Sequence, residues 1–71
     1  MKYQIQYAFD MKTNKAGEYI GSVGVKEQAF QIASTYAKNS GRKVDVFEVE
    51  CEQNRVVNRW VAFPSGGIWN N

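Results

Sequence analysis

The stretch KEQAFQIASTYAKNS, residues 26–40, decides the fold, because its apolar residues recur with helical spacing between segments that alternate. One broad stripe of a helical wheel holds Ala29, Ile32, Ala33, Tyr36 and Ala37, with Phe30 at its margin. Gly41 is a C-terminal stop signal. Gly24, with Glu27 three residues on, is the candidate N-terminal cap. We therefore predict a single amphipathic helix.

On either side of this helix the pattern changes to that of strands. Four segments are rich in alternating, β-branched or aromatic residues, namely 2–10, 18–25, 43–52 and 55–63. Residues 11–17 are predicted to form a hairpin loop, and Gln53 and Asn54 a tight turn. The sequence thus predicts an α+β fold, an antiparallel sheet of four to five strands with one helix packed on one face, in the order β-β-α-β-β.

The C-terminal segment leaves the fifth strand open. Pro64, Gly66 and Gly67 interrupt the fourth strand, after which Ile68 and Trp69 form either a short edge strand or an anchored tail. No linker, repeat or low-complexity stretch divides the chain. A single domain over residues 1–71 is expected.

The second hairpin carries apolar residues in both phases of its alternation. Val44 and Val46 are in one phase, whereas Phe47 and Val49 are in the other. Either a bulge near Val46 and Phe47 or apolar residues on both sheet faces would explain this pattern. Since one helix covers one face, an uncovered apolar patch would need the tail or another protein as its cover. The residues that could form such a patch are Ile20, Val46, Trp60 and Trp69.

Several aromatic side chains are assigned by their spacing to the interface between sheet and helix. They are Tyr3, Tyr7, Phe9, Tyr19, Phe30 and Tyr36. Cys51 is predicted to be a small, half-buried strand residue. These residues are therefore expected in the core, away from any base-stacking platform.

The composition argues against catalysis. The chain has no histidine and one cysteine, so it lacks a histidine base, an internal disulfide and the ligands of a zinc cluster. Four carboxylates lie in one predicted strand, at Asp45, Glu48, Glu50 and Glu52. Their spacing puts the last three on a single face, where a solvated surface paired with Arg55 and Arg59 is expected. We predict no catalytic, metal or cofactor site. The single cysteine and the alternating N-terminus favour a cytoplasmic protein that does not enter a membrane.

Basic residues interleaved with tryptophans are the candidate contacts for a partner. The set comprises Arg42, Lys43, Arg55, Arg59, Trp60 and Trp69. A structural explanation competes with this one. Arg42 and Lys43 would serve the helix terminus, Arg59 would pair with Glu48 or a neighbour, and Trp60 would belong to the core.

Two motifs resemble a known family. The helical segment QAFQIAS, residues 28–34, and the segment WVAF, residues 60–63, followed by a Gly and Trp tail, are similar to small phage-encoded anti-CRISPR proteins of the type I-F inhibitor kind. The resemblance implies a stoichiometric inhibitor that docks on the backbone subunits of a CRISPR surveillance complex and obstructs its nucleic-acid channel. Phe30 and Gln31 occupy positions that are basic in the relatives, so no contact residue carries over from this helix.

Three functions remain open at this point. The favoured one is a protein-binding module that inhibits a host complex. The second is a homodimer that pairs through the uncovered sheet face or an edge strand. The third, disfavoured by a net charge of only +2, is nucleic-acid binding through Arg42, Lys43, Arg55 and Arg59.

Overall fold

A computed structural model describes residues 1–9 and 17–70, which form five strands and one helix. The elements are β1 (Lys2–Tyr7), β2 (Tyr19–Val23), α1 (Lys26–Ser40), β3 (Val44–Glu50), β4 (Arg55–Ala62) and β5 (Ile68–Asn70). All neighbouring strands pair antiparallel in one open sheet, in the order β2-β1-β3-β4-β5. The predicted α+β fold is confirmed, and the tail supplies the fifth strand. The predicted loop lies outside the described residues except for Gly17.

The helix lies close to the sheet because it presents alanines to it. Ala29, Ala33 and Ala37 recur every fourth residue, so they lie on one line along α1, and all three are fully buried. Beneath them lie Ile5 of β1 and Val44 and Val46 of β3, which are also fully buried. This layer of small and β-branched side chains is the centre of a thin core, as the short chain requires.

The two ends of α1 differ in how well the sequence signals them. Gly41 adopts the left-handed conformation with φ of 69° and donates its N–H to the Ala37 carbonyl at 3.0 Å, as predicted. The capping prediction at the N-terminus is wrong. The cap residue is Val25, whose side chain has no group to accept the free N–H groups, so neither Gly24 nor Glu27 caps the helix.

The face assignments of three residues are corrected by the structure. Ile20, Val46 and Trp60 pack on the helix-facing side. The Trp60 ring lies 5.2 Å from the ring of Phe30 and 6.3 Å from that of Tyr3, centroid to centroid, in the core's margin. Only Trp69, of the four residues considered for an uncovered patch, lies on the side away from α1.

A bulge in the first hairpin explains which aromatic residues leave the core. The pairing of β1 with β2 shifts between Ile5 and Gln6, so that Tyr19 pairs with Gln6 and Ile20 is the extra residue. Ile20 therefore packs in the core and Tyr19 is 62% exposed. The core prediction is wrong for Tyr19, and also for Phe9 and Tyr36, which are 57% and 43% exposed.

The second hairpin also contains a bulge, but not at the predicted place. Its register shifts between Glu48 and Val49, and Val57 of β4 is left without a paired residue. Val46 and Phe47 pair regularly, so apolar residues on both faces explain the broken alternation. The turn between the strands spans four residues, 51–54, with Asn54 at φ of 52°. Cys51 lies in this turn and is exposed, contrary to the prediction.

Candidate binding surface

The side of the sheet away from α1 is here called the open face. Directly paired residues share a side, so the register assigns its members. Its polar and charged residues are Lys2, Gln4, Gln6, Ser22, Lys43, Asp45 and Arg59. Its apolar and aromatic residues are Tyr19, Phe47, Val49, Val56, Val61, Phe63 and Trp69, where Lys43 and Phe63 extend β3 and β4 by one residue.

The apolar part of the open face is partly covered by its own side chains. Val49 and Val61 are buried although no helix lies over them, because each has a longer side chain beside it in the register, Lys2 in the case of Val49. One such neighbour is Trp69, which pairs with Val61 and is itself 67% exposed. Its ring meets that of Phe63 edge-on at 6.3 Å. The tail thus extends the sheet as an edge strand and does not cover it.

An ion pair lies near the middle of the open face. An Arg59 terminal N–H donates to the Asp45 carboxylate at 3.1 Å, and the guanidinium lies 5.8 Å from the Phe47 ring centroid. Asp45 is buried at 5% exposure, while the Arg59 side chain is 43% exposed. The Nε of Arg59 is buried without a hydrogen-bond partner. Of the two partners considered for Arg59, Glu48 or a neighbour, the structure shows the second, Asp45, because the pleat directs Glu48 to the helix side.

Lys43 joins the aromatic end of the open face. Its Nζ lies 5.6 Å from the Phe63 ring centroid, which suits a weak cation–π contact. Lys43, Phe63 and Trp69 therefore form a continuous corner, which we call the Trp69 corner.

The other predicted contact residues lie elsewhere. Arg42 stacks on the Tyr7 ring at 4.3 Å from its centroid, beside the C-terminal end of α1. Arg55 pairs with Glu50 at 3.1 Å next to the 51–54 turn, and Trp60 lies on the helix side. Of the six candidates, the structure brings Lys43, Arg59 and Trp69 onto one face and separates the remaining three.

A shallow pocket of about 450 Å³ opens near Arg42, at the C-terminal end of α1. Hydroxyl, amide and aromatic groups line it, from Tyr7, Thr35, Tyr36, Asn39 and Ser40. Ser40 donates its hydroxyl to the Tyr36 carbonyl and accepts the Arg42 N–H, so these groups already serve the helix end. The pocket is consequently part of the helix terminus.

The helix side carries a polar cluster around Glu48. The Asn58 amide donates to the Glu48 carboxylate at 2.8 Å, and the Tyr3 hydroxyl donates at 3.0 Å. The hydrogen bond from Asn58, with that from Tyr3, lowers the pKa of Glu48, and the positive charge of Lys26 acts in the same direction. The hydrogen bond to Glu48 in turn raises the pKa of Tyr3. Glu48 thus has a structural role in tying β1, β3 and β4 together.

Glu48 should make the stability depend on acid pH. Its pKa is lower in the folded chain than in the unfolded one, so its contribution is present above the unfolded pKa, about 4.3, and is lost as pH falls through the folded value. We expect the free energy of unfolding of the wild type to fall, relative to Glu48→Gln, when pH drops below about 5. Urea titrations of both proteins at several pH values test this. Parallel pH profiles would contradict it.

Within the described residues, no cluster of three or more potential metal ligands occurs, and no helix has the length and apolar character needed to cross a bilayer. Comparisons with protein-family models, with curated proteins and with solved structures found no match to this chain. The site must therefore be interpreted from its own chemistry.

Sequence reasoning did not include Phe47, Phe63 or Asp45 among the candidate contacts. A usable signal exists for Phe63. The phase of β4 that contains Arg59 also contains Val61 and Phe63, and an aromatic residue in that phase belongs to the face with Arg59. Asp45 could not be found this way, since its burial depends on neighbours from β1 and β4.

Proposed function

We propose that this chain is a small, non-catalytic protein-binding module that docks through the open face of its sheet. The observation that carries the proposal is Trp69, a large aromatic side chain that is 67% exposed on the face that α1 does not cover. Exposed tryptophans beside partly buried apolar side chains are typical centres of binding energy at protein interfaces. The absence of histidine from the sequence supports the non-catalytic character.

The module would act as an inhibitor that occupies a surface of a larger complex. The resemblance to anti-CRISPR proteins supports a CRISPR surveillance complex as the target and a phage or mobile element as the source. The residues that carry the resemblance are largely packing residues, since Ala29, Ala33 and Ala62 are buried. The resemblance therefore bears on the fold, while the choice of target depends on the open face.

A phage-plating assay tests the inhibitor. In bacteria with active type I-F CRISPR interference, expression of the chain should restore plating of a targeted phage. Trp69→Ala should weaken binding to the purified surveillance complex by about thirty-fold or more, because an interface tryptophan contributes about 2 kcal/mol or more. Tyr36→Ala is the matched control, since Tyr36 is also exposed and also contacts one aromatic ring, but lies on α1.

The outcomes separate the parts of the proposal. Full inhibition by the wild type and by Tyr36→Ala, with loss in Trp69→Ala, supports both the target and the open face. No rescue of plating and no complex at micromolar concentrations would contradict the CRISPR target. Equal binding by Trp69→Ala and wild type would contradict the open face as the docking surface.

A further inference from the structure

We infer that the open face accepts an acidic protein surface with an apolar centre, seated on the Trp69 corner. The inference rests on the proposed function and names the chemistry of its partner. The open face carries three cations, Lys2, Lys43 and Arg59, against one carboxylate, Asp45, among its described residues. Asp45 is already bound to Arg59, so the charge left for a partner is positive.

The two remaining lysines lie at opposite ends of the apolar centre. Lys2 pairs with Val49 near the end of β3, whereas Lys43 immediately precedes β3. Val49 is six positions along the chain from Lys43, which is about 20 Å along a strand. A partner with carboxylates on either side of an apolar contact would match both lysines at once, and complementary charge of this kind sets specificity and association rate.

Arg59 offers further hydrogen bonds between these two ends. A guanidinium has five N–H donors, and Asp45 accepts from a terminal nitrogen. The side chain is 43% exposed, so its outward N–H groups remain accessible to a carbonyl or carboxylate of the partner. The ion pair holds the guanidinium in place before binding, which reduces the ordering cost.

A second copy of the chain fits this face poorly. Among the residues that the structure describes, an isologous dimer through the open face would bring together two identical sets of lysines with no free carboxylate opposite them. A nucleic acid also fits poorly, because the two lysines placed on this face neutralise few phosphates and give weak, salt-sensitive binding. The charge pattern therefore favours an acidic protein surface.

Selection from a surface-displayed library of random peptides tests the inference. We expect peptides that bind the wild-type chain to be enriched in Asp and Glu together with aromatic or aliphatic residues. Trp69→Ala should lower the affinity for the selected peptides by about ten-fold or more. Lys43→Glu should lower the affinity for acidic peptides several-fold, and a selection against this variant should enrich basic peptides instead. Lys38→Glu, on the exposed surface of α1, is the charge-matched control and should change neither affinity nor selection.

Each alternative has its own result. Enrichment of neutral or basic peptides that still depend on Trp69 would overturn the acidic partner while leaving the proposed docking face intact. Peptides that bind but are insensitive to Trp69→Ala, or no binders at all, would overturn both. Tight binding of a single-stranded oligonucleotide that falls steeply with salt, or a dimer that Trp69→Ala dissolves, would overturn the acidic protein partner in favour of a nucleic acid or a second copy.

Discussion

Replacement of Ile5 with alanine should lower the free energy of unfolding by about 3 kcal/mol, because it removes three carbons from a fully packed site and leaves a cavity. Ile5 is 1% exposed and lies in the central strand pair, beneath the alanines of α1. A domain of this size has a total stability of only about 4 to 10 kcal/mol. The melting temperature should fall by about 12 to 24 °C.

The measurement is a urea titration that follows tryptophan fluorescence and circular dichroism together. A lower midpoint with an unchanged slope would show that Ile5→Ala affects stability alone. Val56→Ala is the control, since Val56 is 54% exposed on the same sheet and its truncation should cost at most about 0.5 kcal/mol. Equal losses in the two variants would contradict the assignment of Ile5 to the core.

The helix and its C-terminal end were predictable from sequence, whereas its N-terminal cap was not. Helical spacing of the alanines and the left-handed preference of glycine at Gly41 are local properties, so they can be read without tertiary information. Val25 caps α1 with no capping side chain, which no local rule favours. The connection from β2 and the packing of α1 on the sheet set the position of Val25, and the sequence around it contains no capping signal.

The bulge in the first hairpin accounts for two of the errors in assigning faces, those at Tyr19 and Ile20. A single extra residue reverses the side of every residue beyond it, and the bulge at Ile20 exchanges the expected positions of Tyr19 and Ile20. Alternation alone cannot place a bulge when apolar residues occur in both phases. Burial of Ile20 under the helix decides between the phases, and that is a tertiary effect.

The candidate surface was only partly predictable for a related reason. One helix against a sheet with apolar residues in both phases predicts an uncovered face, and Trp69 is a candidate for it. The sequence also assigns Trp60 to that face, because it does not fix the phase of β4. In the structure Trp60 lies beside Phe30 on the helix side, whereas Phe47 and Phe63 lie on the open face.

Replacement of Arg59 with methionine should cost about 2 kcal/mol of stability, between the value for an exposed ion pair and that for a fully buried one. Methionine keeps the aliphatic stem but leaves the Asp45 carboxylate buried without the guanidinium that pairs with it. Unpaired buried carboxylates are costly because the protein interior solvates them poorly. Removal of both charges in Asp45→Val with Arg59→Met should therefore recover much of the loss.

Arg55→Met supplies the matched control, because Arg55 pairs with Glu50 in the same hairpin at the same 3.1 Å but with its side chain 65% exposed. Its loss should cost about 0.5 kcal/mol. A double-mutant cycle on Asp45 and Arg59, measured by urea titration, gives the coupling directly. Additive single losses would mean that the two side chains do not stabilise the open face as a pair. A favourable coupling together with a binding defect in Arg59→Met would indicate that the ion pair both stabilises the sheet and orients the guanidinium for a partner.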